Sequence, residues 1–127
     1  MVAASGLAES GWIPVERGTL AMKLPGVYAV GDVTSVGTPK AGVFSENAAM
    51  VVAAESIAQI RGGEAPQPFG GAGTCYVELG AGQVARLDAN FFGAPSPVAP
   101  LAGPNPQTAA EKRAFASVRR AHWFQPE

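Results

Sequence analysis

Apolar positions fall in short runs separated by glycine- and proline-rich breaks, which predicts short elements joined by turns. The clearest run is Val27-Tyr28-Ala29-Val30, set between Pro25-Gly26 and Gly31-Asp32. A wholly apolar run of that length reads as a buried interior strand of a parallel sheet. Before it, Leu7 to Trp12 reads as a loop, Trp12-Ile13-Pro14-Val15 as a short extended piece and Thr19 to Met22 as another. After it, Thr34 to Pro39 is a loop, and Gly42 to Ile60 is predicted to be a helix. Alanine is frequent in that helix, Arg61 gives it a basic last turn, and Gly62-Gly63 stops it. Its apolar residues occupy nearly every face, so the pattern predicts a buried helix rather than an amphipathic one.

The second half opens with Glu64 to Gly73, a Pro/Gly-rich connector that places a boundary between domains spanning 1–63 and 64–127. Thr74 to Leu79 and Gln83 to Asp88 flank Gly80-Ala81-Gly82, a hairpin signal. Ala94 to Pro106 holds five prolines and reads as irregular. Thr108-Ala109-Ala110-Glu111 has the form of a capping box and opens a last helix running to about Trp123. On it, Phe115, Val118 and His122 share one side, while Lys112, Arg113, Arg119 and Arg120 lie on or near another. His122 therefore reads as a packing residue and the basic side as a solvated face. A membrane surface or an acidic partner is the lesser reading of that side. No internal repeat is present. The fold class expected is α+β.

Composition narrows the function. The 127 residues suffice for one small domain, and nine basic residues against ten acidic ones give no support for nucleic-acid binding. A single cysteine, Cys75, excludes an internal disulfide framework, and with one histidine no metal site is expected. Met1 to Leu7 lacks the charged start and apolar core of a secretory leader, and Val43 to Ile60 is too polar to span a membrane. The expected location is cytoplasmic.

Three places carry candidate chemistry. Asp32 stands at the carboxyl end of the expected parallel strand, where open sheets bind ligands, and Gly31 lets a ligand approach the backbone. Asp32 is suited to accept hydrogen bonds from a ligand hydroxyl; the alternative is that it caps a turn. Lys40-Ala41-Gly42-Val43 leads into the long helix, whose free amides and partial positive charge favour an anion such as a reduced flavin ring. The alternative there is a solvated loop lysine. Cys75 heads a strand, as a nucleophile or as a small buried hydrophobe. No Gly-x-Gly-x-x-Gly occurs anywhere, so the chain reads as the closing part of a nucleotide-binding domain whose opening part lies elsewhere.

Four pieces occur in order: Gly11-Trp12-Ile13-Pro14-Val15, Gly26-Val27-Tyr28-Ala29-Val30-Gly31-Asp32, Pro39-Lys40-Ala41-Gly42-Val43 and Gly73-Thr74-Cys75-Tyr76-Val77-Glu78-Leu79-Gly80. Together they resemble the C-terminal third of an FAD-dependent pyridine nucleotide-disulfide oxidoreductase, nearest the sulfide:quinone oxidoreductase and flavocytochrome c sulfide dehydrogenase branch. The resemblance implies the last strand and helix of an FAD-binding, Rossmann-like domain, followed by a small hairpin-plus-helix domain. It implies that Gly31 and Asp32 bind the ribityl chain of FAD, and that Lys40, Ala41, Gly42 and Val43 face the flavin's pyrimidine edge. Cys75 becomes the redox cysteine, paired with a second cysteine from a preceding segment. The implied partners are a separate N-terminal FAD/NAD-binding portion and a second copy in a homodimer. Two other readings stand beside this one: a non-catalytic dimerisation module, and a thiol protein acting through Cys75 alone.

Overall fold

The computed structural model describes residues 3–93 and 98–124. In chain order it contains a 3-10 turn at Ala3–Ser5, helix α1 (Gly42–Arg61), strands β1 (Ala72–Gly80), β2 (Gln83–Asn90) and β3 (Leu101–Ala102), and helix α2 (Pro106–Phe124). The class is α+β, with one three-stranded antiparallel sheet in the order β1-β2-β3. The chain divides into two compact units, one of residues 1–73 with 90–97, the other of 74–89 with 98–127. Of the proline-rich segment, Ala94 to Pro97 lie outside the described residues, and β3 lies within the rest.

In the first unit, the expected interior strand Val27–Val30 is not part of a sheet. Tyr28 makes one isolated antiparallel bridge to Ala21; Val27 is exposed and its three successors are half-buried. An interior parallel strand needs a hydrogen-bonded neighbour on each side. Here the Met22 amide donates to the Val27 carbonyl at 2.9 Å and the Ala29 amide to the Leu20 carbonyl at 3.2 Å. On the other edge, the backbone groups of Tyr28 and Val30 meet no partner among the described residues. The Trp12–Val15 piece is likewise reduced to single bridges, Glu9 to Trp12 and, in parallel sense, Ile13 to Thr34.

The core of this unit comprises Leu20, Thr34, Val36, Phe44, Ala48 and Phe69. Leu20 is fully buried at φ 60, a left-handed conformation that the preceding turn imposes on a residue ill suited to it. Glu16 closes that turn by accepting hydrogen bonds from the Thr19 amide (2.6 Å) and hydroxyl (2.7 Å). The amide of Gly18 chiefly, then the hydroxyl and amide of Thr19, hold the Glu16 carboxyl below its usual range. The connector is pinned at Phe69, whose amide donates to the Gly18 carbonyl at 2.8 Å and whose ring meets Phe92 edge-on at 5.6 Å.

Helix α1 begins and ends where the sequence places it, and Gly62 at φ 69 terminates it. Its burial differs from the expectation. Only Phe44 and Ala48 are buried, and the opposite face is open. A helix that is apolar all round needs cover all round, and the described chain covers one side.

In the second unit the hairpin forms as expected, turning through Ala81 (φ 48) and Gly82 (φ 75). Both central residues are left-handed, as the twist of a two-residue hairpin demands. Helix α2 starts three residues earlier than the Thr108 capping box implies. Asn105 is its cap: the Asn105 side chain accepts the Thr108 amide at 2.9 Å, and Thr108 Oγ1 accepts the Asn105 amide at 3.2 Å. Glu111 instead pairs with Arg86 at 2.8 Å, and Arg86 also holds Asp88 at 2.9 Å. Lys112 pairs with Glu78, and the Tyr76 and Phe115 rings meet at 5.5 Å. Thr74, whose hydroxyl donates to Asp88 at 2.8 Å, Tyr76 and Glu78 therefore face α2, and by alternation Cys75, Val77 and Leu79 face the other way. Beyond Phe115 every described residue of the helix except Arg119 is exposed. Val118 and His122, expected to pack, are exposed, and the His122 ring meets the neighbouring Trp123 ring edge-on at 5.3 Å.

The ion pairs between α2 and the sheet predict an acid response. The Glu78 carboxyl is held low by its hydrogen bond and charge attraction to Lys112; that of Glu111 by Gln107 and then by Arg86. A lowered folded pKa gives stability that is present above the unfolded value of 4.5 and is lost as pH falls through the folded one. Thermal melts from about pH 7 to about pH 3 are expected to show a falling midpoint only below the ordinary glutamate range. The fall should be reduced in Glu78→Gln and Glu111→Gln variants. An unchanged fall in those variants would assign acid sensitivity to other groups. The effect is small because the pairs are solvent-accessible.

Candidate functional site

The Gly31–Asp32 turn and the start of α1 line one narrow cleft, walled by Gly31, Asp32, Thr34, Lys40, Phe44 and Ser45. Gly31 sits at φ 85, and a Cβ there would meet Ser45 Oγ at an ordinary 3.5 Å. Backbone conformation, rather than crowding, is what calls for glycine. The Gly31 carbonyl accepts the Thr34 amide at 3.1 Å and the Thr34 hydroxyl at 2.9 Å. Thr34 is fully buried and closes this turn. Asp32 does not: it is exposed, and among the described residues its carboxylate makes no hydrogen bond or ion pair.

Lys40 Nζ donates to the Thr34 carbonyl and stands 4.2 Å from the centre of the Trp12 ring. Its charge is thus steadied at the cleft by a carbonyl and an aromatic face. Ala41 is extended (φ −142, ψ 142) and makes no side-chain cap to α1. The amides of Phe44 and Ser45 return to the Ala41 carbonyl at 3.1 and 3.3 Å. Those of Gly42 and Val43 have no backbone partner among the described residues. The free space in the cleft is about 10 Å³, room for one water. No ring system enters it, so a ligand would lie across its mouth.

The structure thus brings Gly31, Asp32 and Lys40 to one cleft, with Ala41, Gly42 and Val43 beside it at the α1 start. Trp12, Thr34 and Ser45 are further residues of this site that sequence reasoning did not single out. For Thr34 a signal existed: a threonine three residues after the glycine of a Gly-Asp pair is placed to close a turn. Cys75 lies in the second unit, on β1, half-buried and with a free thiol. Among the described residues no group of three histidine, cysteine or carboxylate side chains converges as metal ligands. Nor is any described helix long and apolar enough to cross a membrane. No protein-family model and no curated protein matches the chain.

Proposed function

We propose that the chain is the flavin-contacting and interface region of a cytoplasmic FAD-dependent oxidoreductase, completed by a separate N-terminal FAD/NAD-binding portion. The observation that carries this reading is the convergence of Asp32, Lys40 and the uncapped start of α1 on one cleft. The donor set fits the polar edge of such a cofactor. An unengaged carboxylate suits sugar-like hydroxyls, while free amides at a helix start beside a lysine suit an electron-rich ring edge. The small cleft fits neither the ring nor the adenine, so this region supplies an edge of the cradle and not its enclosure. The bound cofactor would supply hydride or electron transfer. The chain's own residues would position it: Asp32 at the ribityl hydroxyls, and Lys40 with the Gly42 and Val43 amides at the ring. In a sulfide-oxidising form of the enzyme Cys75 handles sulfur, and a second thiol comes from another segment.

Titration of the chain with FAD, followed by flavin fluorescence, is expected to show weak saturable binding. Asp32→Asn should weaken it about tenfold, the value of one charge-assisted hydrogen bond. Lumiflavin, which lacks the ribityl chain, should bind both proteins equally. Equal FAD affinities in the two proteins, or no saturable binding in either, would remove this reading.

A further inference from the structure

The Asp32–Lys40 cleft holds opposite charges that do not meet. Among its lining residues Asp32 is the one carboxylate and Lys40 the one cation, and no ion pair joins them. Reach is not the obstacle. Asp32 lies inside the turn that the Thr34 amide closes on the Gly31 carbonyl. The Thr34 carbonyl that holds Lys40 is thus a near neighbour of the carboxylate, within the sweep of a flexible lysine stem. Between a neutral carbonyl and a carboxylate, an ammonium favours the carboxylate, because the charged acceptor makes the stronger bond. Lys40 has taken the neutral one. What that position adds is the Trp12 ring, whose centre is 4.2 Å from Nζ.

We infer that Trp12 is a positioning residue that holds the Lys40 ammonium away from Asp32, so that the site keeps both charges uncancelled for its ligand. The ring can do this because its own backbone is fixed. The Trp12 amide and carbonyl both bond to Glu9, at 3.1 and 2.8 Å. The next residue, Ile13, runs parallel to the site loop: its amide donates to the Val33 carbonyl at 2.9 Å, and its carbonyl accepts the Ser35 amide at 3.0 Å. Ring and Thr34 carbonyl therefore belong to one bonded patch of the first unit and form a two-point seat for a single ammonium. Trp12 and Lys40 are both exposed, and a cation on an aromatic face at such a site shifts a population about two- to fivefold. An exposed lysine–aspartate pair is worth no more than that. The ring is thus enough to decide between the two positions, and its loss is enough to reverse the choice. A lysine paired with Asp32 would neutralise the site and occupy the acceptor that a ligand hydroxyl needs. On its seat the ammonium keeps donors to spare, since the Thr34 carbonyl takes only one of its three.

The ligand's identity rests on the flavin reading; the seat does not, and its test needs no flavin. A zero-length carbodiimide joins a carboxylate to an amine only where the two touch. Glu78 and Lys112, paired in the second unit, are the internal reference. Mass spectrometry of the treated full chain should find the Glu78–Lys112 amide in every protein. The Asp32–Lys40 amide should be scarce in the wild type and about threefold more abundant in Trp12→Leu. Trp12→Phe keeps an aromatic face and should stay close to the wild type. Circular dichroism checks that the variants keep their helices. A second readout leaves Trp12 in place: in a Trp123→Phe background, Lys40→Gln should shift the Trp12 emission. An Asp32–Lys40 amide as abundant in the wild type as in Trp12→Leu overturns the inference. So does a Trp12→Phe protein that cross-links like Trp12→Leu, or a Trp12 emission indifferent to Lys40→Gln. Absence of saturable FAD binding would remove the flavin reading and leave these outcomes as they stand.

Discussion

Phe44→Ala is expected to cost the first unit about 3–5 kcal/mol, the usual loss when a buried phenylalanine ring is removed. The ring is 3% exposed, stands edge-on to Phe91 at 5.5 Å, and presses so close to Gly73 that a Cβ there would lie 2.7 Å from it. Phe44 also forms part of the wall of the Asp32–Lys40 cleft. Its loss removes packing from the core and opens the site from beneath. Urea unfolding should show a lower midpoint with little change in slope. Trp12, in the same unit, can report it by fluorescence in a Trp123→Phe background. Phe44→Leu fills most of the space and should cost less than about 1.5 kcal/mol. A loss below about 1 kcal/mol for Phe44→Ala would show that the ring is not the centre of this core.

The same residue shows how far sequence pattern reaches. Helix α1 was legible to within one residue, because alanine content, a basic last turn and a glycine stop are local signals. The hairpin was legible for the same reason: a glycine-flanked two-residue turn is written in three adjacent positions. What could not be read was which face of α1 would be covered. Apolar residues on every face carry no direction, so the pattern suggests burial everywhere, while only the side of Phe44 and Ala48 is buried. The run Val27–Val30 failed for a related reason. Its composition is that of an interior strand, but strand formation depends on neighbours, and a run of four apolar residues cannot specify them. The site followed the local rule. The helix start at Gly42 comes from adjacent residues and was legible, whereas the positive φ of Gly31 is seen only in the structure. The lodging of Lys40 on Trp12 joins positions 28 residues apart and left no mark on the pattern.

Thr108→Val is expected to destabilise the second unit by about 1–3 kcal/mol although it barely alters volume. Thr108 is 2% exposed, and its hydroxyl does two jobs at once. It accepts the Asn105 amide at the head of α2 and donates to the Val84 carbonyl of β2, so it joins helix start to sheet. Valine takes the hydroxyl from the buried bond to the Val84 carbonyl and from the part-buried one to the Asn105 amide, and a buried group that loses its partner costs more than a hydrogen bond contributes. The sequence offers two caps three residues apart, Asn105 and Thr108. Pro106 decides between them: proline is favoured at the first helical position, which makes Asn105 the cap and Thr108 its reciprocal partner. If that is right, Thr108→Ser should retain most of the stability, and Asn105→Ala should cost about 0.5–2 kcal/mol. Because both residues belong to one network, the double variant should lose less than the sum of the singles. Strict additivity of the two would place Thr108's contribution in packing alone and would restore Thr108-x-x-Glu111 as the helix's opening motif.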